Sequence, residues 1–260
     1  MRLDKFLSQL NMGTRSQVRG AVRQGNVKVN GVVIKTPDFK VSEGTDQIAY
    51  KDVPLVYQKF VYYMLNKPQG VVSATKDNTA DTVLDLITSK TEKSSLSSGQ
   101  DSAPSDEDLF SAKEKLFLGG KDLFPVGRLD KDTEGILIIT NDGELAHRLL
   151  SPKKHVDKTY LVGIRVPLSP KDIQALENGV DIGDDKPTKE AKVKVLSDTE
   201  ITLTIHEGRF HQVKRMLHAV GNEVVSLKRI QFGKLKLDEA LMPGESRLLT
   251  KEEVDALHES

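Results

Sequence analysis

The chain has 260 residues, 37% of them hydrophobic and 29% charged, with 38 basic side chains balanced by 38 acidic ones. That is the composition of a soluble globular protein, and no apolar run nears the roughly 20 residues of a membrane helix. Cysteine is absent, which excludes disulfides and thiolate zinc sites. The opening MRLDKFLSQL spaces its charges and holds no continuous apolar stretch, so a cytoplasmic protein without a signal peptide is expected.

The zero net charge hides an uneven distribution. Residues 1–40 carry eight basic and two acidic side chains, and residues 206–236 carry seven Lys or Arg against two Glu. Two basic zones in a neutral chain suit separate phosphate-binding surfaces, although chance clustering on solvated faces produces the same count.

Leu3, Phe6, Leu7 and Leu10 fall at helical spacing. Thr14 suits the cap of a second helix over about 15–24, which Gly25 would close. The stretch VKV-NG-VVI predicts a hairpin, since Asn30-Gly31 is the pair best suited to a type I′ turn. On the second helix Arg15, Arg19 and Arg23 recur every four residues, so they share one face while Val18 and Val22 point inward. A row of guanidinium groups on a rigid rod matches a phosphate backbone, each able to donate two hydrogen bonds to one phosphate. With Lys28 on the hairpin, these arginines are the candidate RNA contacts here; a solvated helix face is the plainer alternative. RLDKFLSQL…TRSQVRGAVRQGNVKVNGVVI resembles the alpha-L, or S-four-like, RNA-binding domain, over roughly residues 1–48.

Residues 49–60 are expected to be a linker, after which YYMLNKPQGVVSAT opens a unit spanning 61–250. Its run at 61–65 predicts a strand and Lys67-Pro68-Gln69-Gly70 a turn. Residues 88–122 are set apart as an insertion, mobile on this reading because 88–108 is Ser-rich, acidic and poor in large apolar residues. Strands are predicted at 135–140 and 159–166, with a hairpin over 191–207. Helices are predicted from Ser169-Pro170 to Gly179, over about 210–220, and from Thr250, where Glu253 completes a capping box and 251–260 forms the terminal helix. Strands adjacent in sequence with irregularly inserted helices predict an α+β fold on a mainly antiparallel sheet, behind a small N-terminal α/β domain.

The segment PVGRLDKDTEGILIITNDGELAHRLLSP (125–152) concentrates chemistry. Asp130 lies between Arg128 and Lys131 in a loop just before a buried strand. A carboxylate between two cations is expected to stay ionised and able to act as a nucleophile. Taken alone, a charged loop is more often a solvated turn, and the residues alone leave both open. His206, His211 and His218 lack metal-site spacing and acidic partners, and no phosphate-cradling glycine loop is present, so neither metal nor nucleotide cofactor is expected.

GRLDKDTEG is very similar to the signature of the pseudouridine synthase family that includes RsuA, and MLNKPQG (64–70), KTYLV (158–162) and EGRFHQVKRM (207–216) match the same family in the same order. The resemblance implies that Asp130 is the nucleophile, that Tyr160 contacts the target base, and that Lys214 pairs with the catalytic carboxylate. It implies that Leu203 lies against the base and that Arg128 and Thr133 shape the loop. Arg209, His211, Gln212 and Arg215 are then expected to contact RNA or hold that loop, while Asp132 is left structural. The implied reaction needs no cofactor, because it neither adds nor removes atoms, and the implied partner is ribosomal RNA, small-subunit in preference to large. Independently of the resemblance, a monomer is the default, since no self-complementary apolar face stands out, and no membrane partner is expected. A non-catalytic ribosome-assembly protein on the same fold is the alternative from a different class; an ionised carboxylate in an RNA-facing cleft would serve it poorly.

Overall fold

The computed structural model describes residues 1–10, 12–55, 60–87, 123–151 and 154–260. They form two compact units, one built on residues 1–61, the other on 62–87 and 124–260. The insertion expected at 88–122 lies outside the described residues.

In the first unit, α1 (Leu3–Gln9) buries Leu3, Phe6 and Leu7. Helix α2 (Arg15–Arg23) starts at Thr14, whose hydroxyl accepts from the Gln17 N–H while the Gln17 side chain accepts from the Thr14 N–H. Such a capping box is worth about 1 kcal/mol. Val18 and Val22 are buried and Arg15, Arg19 and Arg23 exposed, so the arginines share the outer face as their spacing predicts. Strands β1 (Val27–Val29) and β2 (Val32–Ile34) are joined by Asn30 at φ 50° and Gly31 at φ 82°, the two left-handed conformations that the tight turn demands. Strands β3 (Ile48–Tyr50) and β4 (Val53–Leu55) complete an antiparallel sheet ordered β2-β1-β3-β4. This corrects the expected linker at 49–60: ordered pairing runs through its first half, with Tyr50 and Leu55 in the core. Alternating residues there had nothing to pair with until β1 was placed beside them.

The second unit is a mixed sheet with the strand path β13-β5-β7-β11-β8-β10-β9. Its strands are β5 (Tyr62–Lys67), β7 (Glu134–Thr140), β8 (Lys158–Ile164), β9 (Lys192–Ser197), β10 (Glu200–Ile205), β11 (Val224–Phe232) and β13 (Ser246–Leu248), with short β6 (Phe124–Pro125) on β7 and β12 (Leu235–Lys236) on β11. All these pairings are antiparallel except β7 with β11. Helices α3 (Gly143–Leu150), α4 (Pro170–Asn178), α5 (Gln212–Ala219) and α6 (Lys251–His258) attach around it. The predicted box of Thr250 with Glu253 is present, and the predicted helix start at Ser169 is closed by a second box with Asp172. The α+β class and the mainly antiparallel sheet are as expected. Among the described residues, no helix is long and apolar enough to cross a membrane.

Strand β7 is the central element. From Gly135 to Thr140 every residue is buried, which explains why GILIIT is continuously apolar rather than alternating. At the parallel crossing, Gly135 (φ 105°) faces Arg229, and an added Cβ would lie 2.1 Å from the Arg229 carbonyl oxygen. Backbone on both sides leaves no room to yield. Gly135→Ala is therefore expected to destabilise the fold by about 3 kcal/mol or more, read as a fall in the urea unfolding midpoint. A midpoint within experimental error of the native one would disprove this close approach.

Candidate active site

The loop carrying Asp130 is built from outside as much as from within. Lys67, the last residue of β5, is fully buried, and its ammonium donates to the carbonyl oxygens of Pro68 (3.0 Å), Asp130 (3.0 Å), Lys131 (3.4 Å) and Thr133 (2.9 Å). The Gly70 N–H donates to the Lys131 carbonyl (2.8 Å). Ser73 donates its hydroxyl to the Leu129 carbonyl and accepts from the Leu129 N–H. The 67–73 segment thus holds the 129–133 loop by its backbone, leaving the Asp130 side chain free to face a cleft. The sequence alone puts Lys67 in a turn; the structure makes it the buried anchor of the loop. Its presence at the end of a strand whose other residues are almost all buried was the available signal.

Asp130 is 30% exposed, with Lys214 Nζ at 3.6 Å from one carboxylate oxygen and His211 Nε2 at 3.7 Å from the other. Lys214 reaches it from the first turn of α5, but its shorter bonds go to Asp132, at 2.5 and 2.7 Å. Asp132, expected to be structural, holds the lysine beside Asp130. The Lys214 ammonium in turn keeps the Asp132 carboxyl below its ordinary range. One ammonium is shared unequally by two carboxylates of the same loop.

Asp130, Thr133, Tyr160, His211 and Lys214 line one narrow pocket together with Arg128, Arg209 and Gln212. Tyr160 comes from β8 and is almost fully buried. Leu203 is a correction: it pairs opposite Tyr160 but is wholly buried within the sheet, and Ile205 and Leu227 supply the pocket's aliphatic wall. Alternation along β10 puts Leu203 and Ile205 on one face, and only their distance from the strand end separates core from pocket.

The arginines of the RFHQVKR segment are also reassigned. Arg209 donates to the carbonyls of Lys186 (2.6 Å) and Pro187 (2.8 Å) and pairs with Glu207. Arg215 donates to the Ile182 and Phe210 carbonyls and pairs with Asp184. Gln212 accepts from the Arg209 N–H and donates to Glu207. These three clamp the 207–212 loop onto residues 182–187, the loop-holding alternative of the expectation. Arg128 is exposed at the rim. In the first unit, Lys28 is paired with Asp52, and Arg19 lies 3.9 Å from Asp4. Arg229, unremarked in the sequence, is buried behind Tyr160, donating to the Ile136 carbonyl (2.9 Å) and lying over the Phe232 ring.

A loop-held carboxylate, an aromatic ring, an aliphatic wall and a cation thus meet in one pocket. The chain belongs to the RNA pseudouridylate synthase family, whose model matches residues 61–219; that of the S4 domain matches residues 1–48. It is an RNA pseudouridine synthase. Among its relatives, the uncharacterized RNA pseudouridine synthase YtzG of Bacillus subtilis is 45% identical over 263 residues, covering 100% of this chain and 99% of the relative. The ribosomal small subunit pseudouridine synthase A of Haemophilus influenzae is 40% identical, covering 99% of each chain, and that of Escherichia coli 39%, covering 98% of each. A solved pseudouridylate synthase structure superposes with a TM-score of 0.62 at 38% identity, covering 99% of both chains.

Proposed function

We propose that this enzyme converts a specific uridine of small-subunit ribosomal RNA to pseudouridine, acting in the cytoplasm as a monomer, with Asp130 as nucleophile. The observation that carries the chemistry is the meeting of Asp130, Tyr160 and Lys214 in one pocket, from a loop, a strand and a helix far apart in sequence. The choice of substrate rests on the relatives named for the small ribosomal subunit, which match essentially the whole chain.

The reaction breaks the N1–C1′ glycosidic bond, turns the uracil and joins C5 to C1′; one proton leaves C5 and one is gained at N1, so nothing is consumed. A stacked uridine has to leave its helix to reach the pocket, at a cost of a few kcal/mol. Stacking of the base on Tyr160, worth about 1–3 kcal/mol, offsets part of that. Asp130 then supplies its carboxylate, Lys214 balances the charge, and the Tyr160 hydroxyl takes part in moving the C5 proton. Ile205 and Leu227 keep water from the detached base.

The exposed arginine row of α2 anchors structured RNA through phosphates, which positions without reading sequence. Replacing Arg15, Arg19 and Arg23 together by Ala is expected to weaken rRNA binding about 10- to 100-fold near physiological salt. The log–log salt dependence should become shallower by about 2. Equal slopes for variant and wild type would remove α2 from the interface. Function itself is tested by mapping pseudouridine in rRNA from cells with and without the gene. One lost small-subunit site is the expected result; a lost large-subunit site would redirect the substrate, and no lost site would place the substrate outside the ribosome.

A further inference from the structure

Phe210 is the most exposed aromatic ring of the second unit, 69% accessible, and it sits at the rim of the catalytic cleft rather than on a remote face. Its ring stacks on the imidazole of His211, with centroids 3.8 Å apart and planes 18° from parallel. His211 in turn lies beside Asp130 and adopts a left-handed backbone (φ 48°, ψ 35°). The backbone beneath is fixed: Arg215 donates to the Phe210 carbonyl (3.1 Å), and Arg209 ties the preceding residue to the 186–187 carbonyls. Across the cleft stand Val72, Ser73 and Ala74. The pocket around Asp130 and this wider cleft share Arg128, Leu129, Asp130, His211 and Lys214, so one opens into the other.

We propose that the Phe210–His211 pair is a stacking ledge for an unpaired nucleobase of the substrate RNA, adjacent to the uridine held at Asp130. This rests on the RNA substrate proposed above and adds a second base site to it. A solvent-facing ring held this rigidly pays little ordering cost on binding, and a base has a π-face whatever its identity, so the ledge supports affinity and register without choosing a sequence. An aliphatic side chain would cover the same area but lack the flat, polarisable face.

The chain contains no tryptophan, so Phe210→Trp introduces a single fluorescent reporter at the ledge. Its emission is expected to be strongly quenched when an unmodified small-subunit rRNA transcript is added, at concentrations where filter retention shows a complex. Phe210→Ala and Phe210→Leu are each expected to raise KM for that transcript roughly tenfold, the loss falling on KM more than on kcat, while Phe210→Tyr stays near wild type. Unquenched emission in a formed complex, or a Leu variant as good as Phe, would overturn the ledge. The wild-type enzyme in the same assays reports separately on the substrate: if it neither binds nor modifies the transcript, the proposed substrate fails, whereas wild-type turnover with indifferent Phe210 variants overturns only the ledge.

Discussion

Replacing Asp130 by Asn is expected to lower pseudouridine formation by at least about 10⁴-fold while leaving the fold and RNA affinity intact. The amide keeps the shape of the carboxylate but cannot act as its nucleophile. Little stability is at stake, since Asp130 makes only loose contacts, at 3.6 Å to Lys214 and 3.7 Å to His211. Removing a negative charge from a cleft that receives phosphates should hold binding constant or tighten it. Single-turnover assays on small-subunit rRNA, paired with filter binding, read both quantities. Asp132→Asn provides the contrast. It frees Lys214 from its closer partner and should reduce the rate more modestly. If the Asp132 variant were the inactive one and Asp130→Asn still turned over, the nucleophile would be misassigned.

The second large effect is expected at Lys67, which touches no substrate. Lys67→Met removes the one donor shared by four carbonyl oxygens, three of them in the 130–133 loop. An unsatisfied buried polar group costs roughly 1–3 kcal/mol, so a loss of about 3–5 kcal/mol of stability is expected. Activity should fall by about 10²-fold or more even where the variant remains folded, because small displacements of a reacting group are that costly. The same lysine makes a pH prediction. Burial first, against the pull of Asp132 and Asp130, lowers its pKa to about 8 from 10.5. Between those values the unfolded chain binds more protons than the folded one, so this group's contribution to stability rises with pH through that window. Activity moves the opposite way, since the neutral amine has too few hydrogens for its acceptors and the loop loosens above about pH 8. An alkaline fall in rate that persists in Lys214→Arg would assign it to Lys67; its disappearance in that variant would overturn the assignment.

Much of the fold was legible because its signals are local. The Asn30-Gly31 turn, the caps at Thr14, Ser169 and Thr250, and the inward Val18 and Val22 each depend on neighbours within four positions. The Asp130 loop and its companions were found through ordered motifs, and the pocket gathers Asp130, Tyr160 and Lys214. What escaped depends on distant pairing. Lys67 finds three of its four acceptors more than 60 positions away, and Arg209 and Arg215 spend their charge on the 182–187 backbone, where no pattern advertises an acceptor. Leu203 and Leu227 are equally apolar strand residues, and only their places in the sheet send one to the core and the other to the pocket. Helix α3, begun by Asp142 accepting from the Leu145 N–H, is a further element that the sequence reading does not predict.

Strand β5, which ends in Lys67, is flanked on one side by β7 and on the other by β13, with Leu65 opposite Ser246. Roughly 180 positions separate those two residues, and a ribosome adding about 5–20 residues per second needs on the order of 10–40 s to cross them. Until then the strand that anchors the catalytic loop has an open edge. The sheet and helices bearing the arginine row, by contrast, draw only on residues 1–55. A nascent chain should therefore acquire its grip on RNA well before its chemistry, so that each molecule is born a binder and matures into a catalyst only as its last strand emerges.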